Sequence, residues 1–401
     1  MLLKSTIFEI IKSQKNQVVY SEKGLKRVAL SELPDLRSHA LIVSGIRRCG
    51  KSTLLFQLIE AKYPDAIYLN FEDPRLYEFE KADFGRLDEV IKELGGKVLL
   101  FDEIQIFPDW EKYIRFKLDE GYQLIVTGSN ASLLSKELGT KLTGRHITKE
   151  LFPFSYNEFL EKQGLLPSPD TVEAYLHIGG FPEYVKHKQP EILQQLLEDI
   201  LLRDIVVRYA IRDVRMLQRL AWYLISNVGK AVSGNRIKSL FEIKSTSTIM
   251  EYLTYLENAY LVFYVPKFSY STRKQLINPR KVYAIDPGII QVNSGSFSDD
   301  SGRKLENTVF LHLKRKWKEI FYYSEKGECD FVVFDNGKII SAIQVCYQID
   351  QDNMQRELNG LYDALAFFNL KKGYIITLNQ DDHFRKDHLV IECIPAHKWL
   401  N

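Results

Sequence analysis

The residues best equipped for chemistry are Gly45-Ile46-Arg47-Arg48-Cys49-Gly50-Lys51-Ser52-Thr53, which fit the phosphate-binding pattern G-x-x-x-x-G-K-[ST]. Small residues at this spacing let the backbone curl until its N–H groups face a phosphate at the positive end of the next helix. Lys51 can then reach the β- and γ-phosphates of a nucleotide, and the Ser52 hydroxyl can ligate Mg²⁺. The pattern carries meaning between a strand and a helix. Residues 40–44 read as a buried strand and residues 53–60 as an amphipathic helix.

A second stretch supplies acids. The apolar run at 97–101 ends in Asp102-Glu103, where the aspartate can hold the Mg²⁺ shell and the glutamate can polarise an attacking water. Taken alone, the pair also reads as two solvated carboxylates at a strand end. Further strands are expected at 66–71, 123–127 and 146–151. The fourth strand ends in Gly128-Ser129-Asn130, so Ser129 or Asn130 can hydrogen-bond a γ-phosphate or the water held by Glu103, or can simply form a turn. Leu142-Thr143-Gly144-Arg145 puts an arginine on a glycine turn before the fifth strand. Such an arginine can neutralise charge on a transferred phosphoryl group, from its own chain or from a neighbour, or can be a surface side chain.

These elements need a parallel sheet flanked by helices, and 401 residues leave room for two or three domains. The net charge of +2 is nearly balanced and does not by itself announce a nucleic-acid binder. Four scattered cysteines (Cys49, Cys329, Cys346, Cys393) show no zinc-site spacing and suit a reducing cytosol. Charges at Lys4, Glu9 and Lys12 interrupt the start, which reads as a short amphipathic helix rather than a signal peptide. No apolar run has membrane-spanning length, so a cytoplasmic protein without a membrane partner is expected.

Beyond a polar stretch at 163–170, the pattern turns helical, with the Gly179-Gly180-Phe181-Pro182 turn and a helix from Ile192 to Tyr209. Residues 213–269 read as three helices and a strand, an order that resembles a winged helix. The third helix, 246–257, has no Lys or Arg and two Glu, which favours packing or protein contact over DNA reading unless Lys238, Lys244, Arg273 and Lys274 assist.

The last hundred residues combine Glu306 on a helix (305–317), Asp330 opening a strand, an Asn336-Gly337 hairpin turn and Gln344-Val345-Cys346 on the return strand. This resembles the restriction-endonuclease-like core, in which carboxylates hold Mg²⁺ and a lysine stabilises charge on the cut phosphate. Here Gln344 and Cys346 stand at the acid and lysine positions. Gln344 can still offer a metal an oxygen, and Lys326 or Lys338 can supply a cation from nearby. The expectation is a degenerate site, formed by Glu306, Asp330 and Gln344, used for binding or oligomer contacts.

With Leu151-Phe152-Pro153-Phe154-Ser155 and Gly179-Gly180-Phe181-Pro182-Glu183 added to the motifs above, the chain resembles bacterial and archaeal ATPases with an AAA-type P-loop domain followed by a C-terminal domain of unknown function. The resemblance implies that Glu103 activates water, that Ser129 or Asn130 is a polar sensor and that Arg145 is a candidate arginine finger. The expected fold is α/β throughout. An N-terminal P-loop NTPase with a parallel sheet (1–160) leads to a helical linker (161–212), a winged-helix-like segment (213–285) and a restriction-endonuclease-like domain (286–401). The expected function is Mg²⁺-dependent ATP hydrolysis driving a switch in the C-terminal domains, with a homo-oligomer or a protein partner. The alternative is a DNA-binding or nuclease protein for which ATP is only a regulatory ligand.

Overall fold

Strand β1 (Ala40–Ser44) is buried along its whole length, which is why its sequence is apolar without alternation: helices cover both faces of a parallel sheet. The described residues of the computed structural model are 1–34, 38–131, 142, 144–243, 245–294 and 300–401; Thr143 and Lys244, named above, lie outside them. The chain divides into two compact units, Met1–Leu151 and Phe152–Asn401.

In the first unit α1 (Lys4–Tyr20) precedes β1, and α2 (Lys51–Ala61), β2 (Ile67–Asn70), α3 (Asp83–Leu94), β3 (Val98–Asp102), α4 (Trp110–Asp119), β4 (Gln123–Gly128) and β5 (His146–Glu150) follow. The five strands lie in the order β2-β3-β4-β1-β5, all parallel. This is the sheet of a P-loop NTPase-like domain. β4 stands between the loop-bearing β1 and the acid-bearing β3, so all three carboxyl ends meet at one edge. α3 turns Phe84, Leu87, Val90 and Ile91 to the core at helical spacing and stops at Gly95, whose φ of 73° suits a residue without Cβ. α1 reaches Tyr20, well past the short helix expected at the start, and its buried Gln14 is paired. Its amide donates to Asn70 O (3.2 Å) and Asp73 Oδ2 (2.9 Å) and accepts the Asn70 N–H (2.8 Å).

The second unit begins with α5 (Tyr156–Gln163), α6 (Pro169–Ile178), α7 (Pro182–His187) and α8 (Pro190–Asp199), which runs on as a π-helical segment Ile200–Val207. Ser155 and Ser168 each close a capping box at the start of α5 and α6. The sequence places one helix over 192–209; the chain instead widens to π geometry over Ile200–Val207.

Next come α9 (Val214–Ile225), β6 (Ala231–Val232), α10 (Gly234–Leu240), α11 (Thr246–Asn258), β7 (Val262–Pro266), α12 (Thr272–Ile277) and β8 (Arg280–Ala284). The three strands pair antiparallel in the order β6-β8-β7. α13 (Pro287–Asn293) and α14 (Ser301–Lys316) lead to β9 (Glu319–Ser324), β10 (Glu328–Asp335), β11 (Lys338–Val345), α15 (Met354–Phe367), β12 (Lys372–Thr377), β13 (Asp382–Lys386), β14 (Leu389–Pro395) and α16 (Ala396–Trp399). These strands form a separate mixed sheet in the order β13-β14-β12-β11-β10-β9. The β10–β11 turn at Asn336 (φ 48°) and Gly337 (φ 82°) is the hairpin expected from those residues.

Candidate nucleotide site and a lysine-filled carboxylate cavity

The loop from Gly45 to Thr53 leaves β1 at the carboxyl edge of the sheet and enters α2. Gly45 admits no side chain, since a Cβ there would lie 2.1 Å from the Leu151 carbonyl oxygen. Gly50 has φ 101°, and Arg48 also adopts the left-handed region (φ 61°). Ile46 and Cys49 are buried, and the Cys49 thiol donates to Leu151 O (3.3 Å), with burial raising its pKa. Arg27, itself buried, donates from Nη1 to Cys49 O at 2.7 Å and braces the loop from behind. Arg47 donates to Glu72 Oε1 (3.1 Å), Arg48 is exposed and Thr53 is half-buried in the first turn of α2.

Lys51 is buried, and its ammonium donates to Gly45 O (3.1 Å) and Ile46 O (3.2 Å) and lies 3.2 Å from Glu103 Oε1. Burial alone would lower the Lys51 pKa, but the Glu103 charge, assisted by Cys49 and Asp102, raises it. Asp102 at the end of β3 is fully buried and accepts from Thr127 Oγ1 and from Tyr68 OH (2.9 Å), with the Ser52 side chain hydrogen-bonded to it as well. Burial, together with the Glu103 charge, raises its pKa. Glu103 has φ 54°; its backbone N–H donates to Thr127 Oγ1 (3.0 Å), and its carboxylate accepts from Gln105 Nε2 (2.5 Å). Burial would raise the Glu103 pKa, but Lys51 overcomes it and lowers it.

Lys51, Ser52, Asp102 and Glu103 are thus one cluster, assembled from two stretches of sequence. Ser129 and Asn130 are buried at the end of β4, and Ser44 Oγ donates to Asn130 O (3.1 Å). Thr127, Tyr68 and Gln105 complete the cluster. Their roles depend on strand order, which the sequence does not state. An oxygen set of hydroxyl and carboxylate suits Mg²⁺ at Ser52 and Asp102.

Arg145 lies elsewhere. Its carbonyl accepts the N–H of Ala40 (3.1 Å), at the amino end of β1, and its guanidinium pairs with Asp119. A five-residue strand therefore separates it from the loop of its own chain, a span of roughly 15 Å.

In the second unit Glu306 (α14), Asp330 (β10) and Gln344 (β11) do converge, on a cavity of about 620 Å³. Neither Lys326 nor Lys338 supplies the cation at Asp330. Lys281 on β8 does, with Nζ 2.7 Å from Asp330 Oδ1, 2.8 Å from Glu328 Oε1 and 3.5 Å from Glu306 Oε1. Gln344 turns its oxygen to the Asp330 N–H (3.0 Å) and its amide to Glu357 Oε2 (2.7 Å). Burial and the Asp330 charge push the Glu306 carboxyl up to about 8, although Lys281 and Tyr283 pull it down.

No helix among the described residues is long and apolar enough to cross a membrane. Residues 37–160 match a family described as "AAA domain", and residues 169–300 match a "Domain of unknown function (DUF8612)". An uncharacterised protein of Methanocaldococcus jannaschii is 34% identical over 100% of this chain and 96% of its own length. An uncharacterised protein of Haemophilus influenzae is 30% identical over 90% of this chain and 93% of its own. The AAA match marks the first unit as a nucleotide-binding, ATPase-like domain. The chain therefore belongs to the family of AAA-domain proteins in which that domain is followed by this domain of unknown function.

Proposed function

We propose that the first unit hydrolyses ATP with Mg²⁺ and that the nucleotide cycle switches the conformation of the second unit. The observation that carries this reading is the convergence of Lys51, Ser52, Asp102 and Glu103 at the carboxyl edge of the parallel sheet. Lys51 neutralises phosphate charge while the loop N–H groups orient the phosphates. Ser52 and Asp102 hold Mg²⁺, which supplies charge neutralisation on the phosphoryl oxygens. Glu103 orients the attacking water, with Thr127 fixing its backbone and Gln105 its carboxylate. Ser129 or Asn130 senses the γ-phosphate. Arg145, on the far edge of its own sheet, acts on the nucleotide of a neighbouring copy, which makes the working form a homo-oligomer. Release of phosphate from ATP is the test. Turnover by the wild type no faster than by Lys51→Ala would overturn the reading.

A second reading, DNA contact by the second unit, is favoured by one feature. Helix α9, β6, α10, α11, β7 and β8 follow in a winged-helix-like order, and Arg273 and Lys274 are exposed on α12 between β7 and β8. Binding to duplex DNA that weakens with salt and with neutralisation of these two residues is its expected outcome. No binding at low salt refutes it.

A further inference from the structure

Lys281 is 5% exposed, and its ammonium has three N–H donors facing three carboxylates on two elements: Glu306 on α14, Glu328 and Asp330 on β10. Two of the carboxylate oxygens around it have a further donor. Asp330 Oδ2 accepts the Val345 N–H (2.9 Å), and Glu306 Oε1 accepts the Tyr283 hydroxyl (2.7 Å). The Gln344 oxygen is turned to the backbone of Asp330. As the side chains stand, with Lys281 among them, no three His, Cys, Asp or Glu side chains of the described residues are grouped so that they could hold a metal ion. Glu306 and Asp330, drawn together out of water, need a counter-charge, and here the chain supplies its own.

We propose that Lys281 is the resident cation of this cavity, its ammonium standing between Glu306 and Asp330 where a divalent ion would otherwise be held, and that it keeps the cavity free of divalent metal. An ammonium brings one positive charge and no Lewis-acid coordination, so the cavity holds its carboxylates in place without a metal's chemistry. The inference is independent of the ATP site, whose residues all lie in the first unit.

The test is uptake of Mn²⁺, added without nucleotide to the full chain and followed by electron paramagnetic resonance. Wild type and Asp330→Asn are expected to take up equal amounts. Lys281→Ala is expected to take up one further equivalent, which is lost again in Lys281→Ala/Asp330→Asn. Lys281→Arg, which keeps a cation, is expected to match wild type. Circular dichroism establishes folding of each variant, with Lys281→Gln as the substitute if the alanine variant fails to fold. A folded Lys281→Ala or Lys281→Gln that gains no Mn²⁺ overturns the proposal. So does Mn²⁺ uptake by the wild type that disappears in Asp330→Asn, and this comparison decides the matter even if neither Lys281 variant folds.

Discussion

The Lys51 ammonium lies 3.2 Å from the Glu103 carboxylate, so a residue of the phosphate loop and a residue beyond β3 form one buried ion pair. The pair lets binding and hydrolysis be separated by substitution. Glu103→Gln keeps the side-chain shape and removes the charge that orients water. ATP turnover is expected to fall roughly 10²–10⁴-fold, with ATP affinity retained in a fluorescent-nucleotide titration. Turnover within threefold of wild type would assign Glu103 a structural role only.

Thr127 joins both acids, donating to Asp102 and accepting from the Glu103 N–H. Thr127→Val keeps the volume, takes one donor from the buried Asp102 carboxylate and leaves the buried Glu103 N–H without its hydroxyl partner. Urea unfolding is expected to show a loss of about 1–3 kcal/mol. The Mg²⁺ concentration for half-maximal turnover is expected to rise, since Asp102 loses one of the groups that aim it. A variant with unchanged stability and unchanged Mg²⁺ dependence would remove Thr127 from the site.

Arg145 permits a test by mixing. Arg145→Ala and Glu103→Gln are each expected to be nearly inactive alone. Mixed oligomers are expected to recover turnover, because the intact Arg145 of a Glu103→Gln copy meets the intact Glu103 of an Arg145→Ala copy. A mixture no more active than the sum of its parts refutes action between copies.

Titration of Glu306 predicts a pH dependence. Its carboxyl is raised, first by burial and then by Asp330, with Lys281, Tyr283 and Glu328 also facing the cluster. The folded chain therefore keeps a proton that the unfolded chain has released between the ordinary glutamate value and about 8. Stability falls as pH rises through that window. Glu306→Gln removes this contribution, so its urea midpoint is expected to decline less steeply over the window than that of wild type. Equal slopes would show that Glu306 does not titrate there.

The sequence made the nucleotide site legible where single stretches carry the chemistry. The loop, the acids after β3 and the buried strands all announce themselves, because strands covered on both faces give continuous apolar runs. The same holds for the Asn336-Gly337 hairpin. What escaped depends on neighbours distant in sequence. Tyr68 reaches Asp102 only because β2 pairs with β3, and Thr127 reaches it only because β4 lies between β3 and β1. Lys281 is 49 residues from Asp330 and sits on a strand of a different sheet, so no local spacing marks it.

The placement of Lys281 also bears on how this chain can be dissected. A cut between residues 285 and 286, where the sequence suggests a boundary, leaves Glu306 and Asp330 in one fragment and their counter-charge in the other. The C-terminal piece would then expose a patch of mutually repelling carboxylates, and the N-terminal piece an unpartnered ammonium on the central strand β8. The C-terminal piece is not expected to refold alone at neutral pH, whereas the two pieces together would reassociate through that charge. Limited proteolysis should accordingly spare the junction and release the second unit whole.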